Sequence, residues 1–373
     1  VRIVIAPDKF AGTLTATEAA QAVADGWHDV DPDAATELLP LSDGGPGFVE
    51  VLHTALGGTT LRVDVTGPLG TPVTAEYLLD GDGGTAYIES AQACGLHLVD
   101  PDRRDPGRTT SRGVGELIAH AIGRGARTVV VGLGGSATND AGAGMLAALG
   151  ATPDEALGSG GLALADLPGP LDLGPARRGT AGVRLVAATD VDNPLLGAQG
   201  ASAVFGPQKG ADASQVRRLD RALALFADAA SAAPGAQCDP RALPGAGAAG
   251  GLGYGLLLLG GTVESGVARV LAAVDLAEQV AAADLVITGE GSFDSQSLRG
   301  KLPHGVALTA AAHAVPCVVA AGVVAVDRAE AAAAGITATY SLVESAGSTE
   351  AALSRSAEEL RRLAGDIARH WRP

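Results

Sequence analysis

The sequence predicts an α/β protein in which both ends of the chain share one doubly wound parallel sheet, with a second α/β domain containing a mixed sheet inserted between them. Strand-like and helix-like segments alternate at each terminus, the pattern of parallel βαβ units. The middle of the chain switches to short runs separated by Gly-Pro and Asp-Gly turns, the mark of an antiparallel meander. A length of 373 residues favours two domains over one. The expected division is 1–64 with 276–373 for the terminal domain and 65–275 for the insert.

The elements follow in order. A strand over Arg2–Ala6 leads to a helix from about Thr15, where Thr15 and Glu18 have capping-box spacing. A second strand, Thr36–Leu41, runs into Ser42-Asp43-Gly44-Gly45. The meander comprises Thr60–Thr66, Val73–Leu79 and Thr85–Glu89. A helix over Gly113–Ile122, a strand over Arg127–Val131, a glycine-rich turn and a helix over Asn139–Leu149 come next. Residues 151–180 and 235–255 read as Gly-rich loops, separated by a strand (Val183–Ala188) and a helix (Ser214–Ala232). The C-terminal part alternates strands Asp284–Thr288, Cys317–Ala321 and Thr337–Leu342 with helices Pro303–Ala312, Arg328–Ala334 and Glu350–His370.

Composition narrows the function. The 42 acidic residues against 26 basic ones give a net charge of −16, the wrong sign for nucleic acid or an anionic membrane. The longest apolar stretch, Ala314–Val326, is far short of the ~20 residues that cross a bilayer. Three widely spaced cysteines without metal spacing, and no leader-like run before the first strand, set the expectation of a cytoplasmic protein with reduced thiols. Only three lysines occur, Lys9, Lys209 and Lys301, each close to glycine in a chain that otherwise uses arginine. A compact point charge in a glycine loop suits phosphate.

Gly132-Leu-Gly134-Gly135-Ser136-Ala137 follows a strand and precedes the expected helix. That context suits an anion held by backbone N–H groups, with Ser136, Thr138 and Asn139 adding donors. The second βα unit of a dinucleotide site is missing. Walker A, protein-kinase and nucleophile-elbow motifs are also absent. Acidic residues cluster after hydrophobic strands instead: Asp43, the pair Asp190 and Asp192, and Glu290 with Asp294. Strand-end carboxylates are where α/β proteins hold Mg²⁺ and substrates. For any single one of these acids, an ordinary turn accounts for the residue equally well.

Together these segments resemble the bacterial glycerate kinase family, the type lacking a Walker loop. The resemblance spans nearly the whole chain: Ala6-Pro-Asp8 to Leu14, Asp43-Gly-Gly, Gly67–Val73, Gly132–Met145, Asp190–Leu195, Phe205–Ala211, Gly245–Gly253 and Ile287–Lys301. It implies ATP-dependent phosphorylation of D-glycerate, favouring 2-phosphoglycerate, and a flavodoxin-like terminal domain, with the site in the cleft between domains. Three departures from the family pattern stand at Ala11, where lysine is usual, at Pro46-Gly47-Phe48, and at Asp105, where asparagine is usual. Lys9, two residues before Ala11, shares its face in an extended loop.

The expected roles follow. Gly134, Gly135, Ser136, Asn139 and Lys209 take the nucleotide phosphates. Asp190 is the base, with Lys301 beside it in the catalytic set, and Asp192, Glu290 and Asp294 hold Mg²⁺. Asp8, Lys9, Asp43, Arg104, Thr109 and Thr110 take the acid, Arg104 offering a planar fork for the carboxylate. A kinase for another small hydroxy acid and a non-catalytic two-domain acid-binding protein are the alternatives. Oligomeric state is left open, a homo-oligomer included.

Overall fold

A computed structural model describes residues 1–10, 12–236, 238–298 and 301–371. The departure at Ala11 lies outside the described residues. The chain forms two compact units, one from residues 1–43 and 267–373 and the other from residues 44–266.

Unit 1 begins with β1 (Arg2–Pro7), α1 (Ala16–His28) and β2 (Ala35–Leu38). The Thr15–Glu18 capping box is present at the start of α1, worth about 1 kcal/mol against alanine at such a cap. Unit 2 follows with α2 (Phe48–Leu56), β3 (Thr59–Thr66), β4 (Pro72–Leu79), β5 (Thr85–Glu89), α3 (Arg112–Gly123) and β6 (Thr128–Gly132). It continues through α4 (Ala143–Ala148), β7 (Arg184–Ala188), α5 (Ala213–Ala232), α6 (Ala248–Leu258) and β8 (Thr262–Glu264). The chain then returns to unit 1 with β9 (Leu285–Gly289), β10 (Ser292–Phe293), α7 (Leu302–Ala312), β11 (Cys317–Ala321), β12 (Val323–Val324), β13 (Ala338–Ser341) and α8 (Ser356–His370).

The sheet of unit 1 is parallel throughout, in the order β13-β11-β9-β1-β2. This is the flavodoxin-like order, with the chain reversing its direction of winding between β1 and β9. Strands β9 and β11 are buried at every position, which is why they read as unbroken apolar runs. The core beneath gathers Ile3, Ile5, Val23, Trp27, Ile287, Val318, Leu360 and Leu363.

The sheet of unit 2 is mixed, in the order β3-β4-β5-β6-β7-β8. Strands β3, β4 and β5 pair antiparallel, and β5 to β8 pair parallel. Its core includes Tyr77, Ile88, Leu117, Val129, Val131, Leu146, Phe226 and Tyr254. Residues 44–64, grouped by sequence with the terminal domain, belong to this unit. Here β3 pairs with β4 along its whole length, and α2 packs on β4 and β5.

Four local expectations change. The helix expected from Asn139 starts at Ala143, because Ala141 and Gly142 take left-handed φ values of 53° and 73°. The 151–180 loop contains short helices at Asp154–Leu157, Gly161–Asp166 and Gly174–Gly179. The 235–255 passage runs into α6, nearly every residue of which is buried. The last helix divides at Arg355. Among the described residues no helix is long and apolar enough to cross a membrane.

Candidate functional site

Unit 2 builds one candidate site on the turn after β6. Gly134 lies so close to Gly45 that an added Cβ would come within 2.4 Å of the Gly45 Cα, so only glycine fits there. Gly135 has φ 73°, which glycine adopts without strain. These two glycines, Ser136 and Lys209 line a cavity of about 340 Å³ whose other walls include Val191 and Phe205.

Lys209 comes from a short 3₁₀ turn closed by Gly210 and is only 3% exposed. Its Nζ donates to Ser136 Oγ at 3.0 Å and to the Thr138 carbonyl at 2.6 Å. No carboxylate forms an ion pair with it among the described residues. Burial pushes its ammonium down to about 8, and the nearby Cys94 and Asp140 oppose that fall. Asp140, which sequence reasoning did not single out, is spent on the turn itself. Its carboxylate accepts from Ser111 N and Oγ and from the backbone of Gly142 and Gly144. Its only signal in the sequence is its place in the Gly132–Met145 run. A buried cation left without an anionic partner at the wall of a cavity is a place for an anion.

Several expected residues of unit 2 have other work. Asn139 is fully buried and donates through Nδ2 to Ser202 Oγ, so it does not face the cavity. The helix expected to start at Asn139 begins at Ala143 and is only 6 residues long, so its N-terminus does not open at residues 134–139. Thr109 Oγ1 donates to the Ala137 carbonyl, and Thr110 Oγ1 accepts from Arg112 N. Both threonines are buried, so they brace the turn and are not open to a substrate carboxylate. Arg104 lines a separate cavity of about 580 Å³, its Nε buried without a partner. Asp190 follows β7 and accepts a hydrogen bond from Ser265 Oγ. Asp192 is exposed two residues on.

Unit 1 builds a second cluster at the point where the winding of its sheet reverses. In-register pairing of Pro7 with Gly289 sets Asp8 and Glu290 side by side at the carboxyl ends of β1 and β9. Lys9 Nζ lies 3.5 Å from Asp8 Oδ1 and 3.3 Å from Asp43 Oδ1. Burial pushes the Asp8 carboxyl up to about 7; Lys9 opposes the rise, while Asp43 and Glu290 add to it. Lys9 is held well above its ordinary value: burial works against its charge, and the two aspartates more than compensate. Glu290 is 8% exposed with Oε1 unpartnered. Burial raises its carboxyl, against a hydrogen bond from Ser297 and the charge of Lys301, which stands at the N-cap of α7. Ser297 was not foreseen, because a serine in a turn carries no distinguishing signal.

The three acids expected to hold the metal are divided between the two units. Asp192 belongs to unit 2 and Glu290 and Asp294 to unit 1. Asp294 Oδ1 already accepts from the backbone of Gln296 and Ser297. Among the described residues no group of three or more His, Cys, Asp or Glu side chains is arranged to hold a metal ion.

The chain matches the model of the glycerate kinase family over residues 3–372. It is 47% identical to the glycerate kinase of Bacillus subtilis strain 168, covering 99% of this chain and 97% of that one. It is 42% identical to the glycerate 2-kinase of Escherichia coli K12, again covering 99% and 97%. A crystal structure of a candidate glycerate kinase 2 from Salmonella typhimurium LT2 superposes with a TM-score of 0.79 at 41% identity, covering 99% of this chain and 98% of that one.

Proposed function

On the premise that this chain belongs to the glycerate kinase family, we propose that it transfers the γ-phosphoryl group of ATP to the 2-hydroxyl of D-glycerate, giving 2-phosphoglycerate and ADP. The observation that carries the nucleotide part is Lys209, a buried ammonium bound only to neutral oxygens and opening onto the glycine-lined cavity. Triphosphate oxygens would supply its missing counter-charge and also meet the backbone of Gly134 and Gly135. Phosphoryl transfer asks a protein chiefly for this kind of positioning and neutralisation.

In the reaction the hydroxyl oxygen forms a bond to the γ-phosphorus as the bond to the β,γ-bridging oxygen breaks. Asp190, steadied by Ser265, takes the hydroxyl proton. The guanidinium of Arg104, with its orphaned Nε, receives the glycerate carboxylate. Mg²⁺ binds with one or two carboxylates plus phosphate oxygens, and the exposed Asp192, next to the cavity-lining Val191, is the residue that would hold it. When bound, the ion neutralises charge on the phosphate oxygens.

A second acid substrate is favoured by one observation: Asp105, where the family pattern has asparagine, is engaged by Gln215 and by Gly107 N beside Arg104. The test is ADP release by pure protein with Mg²⁺ across a panel of small hydroxy acids, with the product's phosphate position read by NMR. D-glycerate should give the highest kcat/KM and the 2-phosphate; absence of glycerate-dependent ADP release would overturn the proposal.

A further inference from the structure

Arg103, Arg104 and Arg108 line one cavity of about 580 Å³ in unit 2, together with Asp102, Asp105 and Gln215. In a chain with 42 acidic and 26 basic residues, several arginines pair with an acid. Arg62 does so with Glu76, Arg112 with Asp154, Arg184 with Glu264 and Arg361 with Asp29. The three cavity arginines do not: among the described residues none of their side chains makes an ion pair or a hydrogen bond, and Arg104 Nε is buried with no acceptor. Of the two acids nearest in sequence, Asp102 lines the same cavity without pairing with them, and Asp105 is engaged in its own turn. Asp105 Oδ1 accepts from Gly107 N and from the Gln215 amide, two neutral donors that hold it in the turn.

The wall is also fixed in place. Gly210, with φ 101°, packs so tightly that an added Cβ would sit 2.6 Å from the Arg104 carbonyl, so the arginine segment lies directly on the turn that carries Lys209. A single carboxylate is satisfied by one guanidinium fork. Three unpaired forks in one cavity, much larger than a three-carbon acid, call for an anion with more oxygens and more charge.

We propose that this cavity binds a phosphorylated small carboxylic acid, its carboxylate on one guanidinium and its phosphate on the other two. That ligand class is the product class of the proposed kinase reaction and rests on that reading. The cavity would therefore hold product, or the same class of compound supplied from elsewhere, through Arg103 and Arg108, which the transfer step does not use.

The test is calorimetry on the nucleotide-free protein without Mg²⁺, titrated with 2-phosphoglycerate, inorganic phosphate and D-glycerate. Wild type should bind 2-phosphoglycerate at least about tenfold more tightly than either of the others, the scale of one charge-assisted contact. Arg103→Ala with Arg108→Ala should weaken 2-phosphoglycerate by about 10- to 100-fold. Arg103→Lys with Arg108→Lys keeps the charge and removes the forks; it should recover part of the affinity, and it tests the site if the alanine pair fails to fold. Unchanged affinity in both double variants would overturn the proposal, as would inorganic phosphate binding as tightly as 2-phosphoglycerate. Failure of the kinase reading would appear separately, as absent glycerate-dependent ADP release in protein that still binds 2-phosphoglycerate through these arginines.

Discussion

Lys209 shows how a single residue can be read from its surroundings. A buried lysine with a structural role needs its hydrogen bonds, whereas one awaiting a phosphate is a cost to the empty protein. Lys209→Met keeps the packing and deletes the charge. The expected outcome is a kcat lower by about 10²-fold and a raised ATP KM, the scale of losing one preorganised donor, with thermal stability equal to wild type or higher. Wild-type kinetics with a lowered Tm would make Lys209 structural.

Asp8 gives a pH prediction. Its carboxyl is lifted from the ordinary 3.8 to about 7, first by burial, with Asp43 and Glu290 adding and Lys9 opposing, so the folded state binds the proton more tightly than the unfolded state. That contribution to stability is complete below about pH 4 and is lost as pH rises through about 7. Asp8→Asn cannot ionise, so its Tm should fall less than that of wild type over this window. Calorimetric scans at half-unit pH steps check this, and parallel Tm–pH curves for the two proteins would refute it.

At the scale of elements, close backbone approach sets what can be replaced. An added Cβ at Gly250, in the left-handed entry to α6, would lie 1.9 Å from the Thr138 carbonyl, the acceptor of the Lys209 ammonium. Gly250→Ala should therefore displace that carbonyl, destabilise by roughly 1–3 kcal/mol and weaken nucleotide binding. In unit 1 an added Cβ at Gly26 would lie 1.9 Å from the Arg361 carbonyl where α1 meets α8. Gly26→Ala should cost a similar amount of stability and leave nucleotide binding by unit 2 unchanged. Urea unfolding paired with nucleotide titration separates the two outcomes.

The same scale explains what was legible in the sequence. Strands such as Cys317–Ala321 are buried throughout, so hydrophobicity alone marks them. The glycines of α6 hide a helix because they serve tight packing there, and no local propensity reports that. The turn after Gly132 was recognisable, but its helix starts later because Ala141 and Gly142 turn left-handed, which the tertiary fold imposes. Lys209 and Ser136 are 73 residues apart, and their contact exists only once the unit has folded.

For the whole molecule, each unit has its own hydrophobic core, and the chain passes from one unit to the other only at residues 43–44 and 266–267. Multidomain chains of this kind depart from two-state unfolding. Calorimetry should resolve two thermal transitions, and ligand linkage then assigns them. A nucleotide that binds at Lys209 stabilises only the unit that carries it, by about 2.7 kcal/mol at a hundredfold excess over Kd. A non-hydrolysable ATP analogue should therefore raise one transition and leave the other in place, and Lys209→Met should abolish that rise. Gly26→Ala should lower the transition the analogue leaves alone. A single transition with equal calorimetric and van't Hoff enthalpies would show instead that the two units unfold as one.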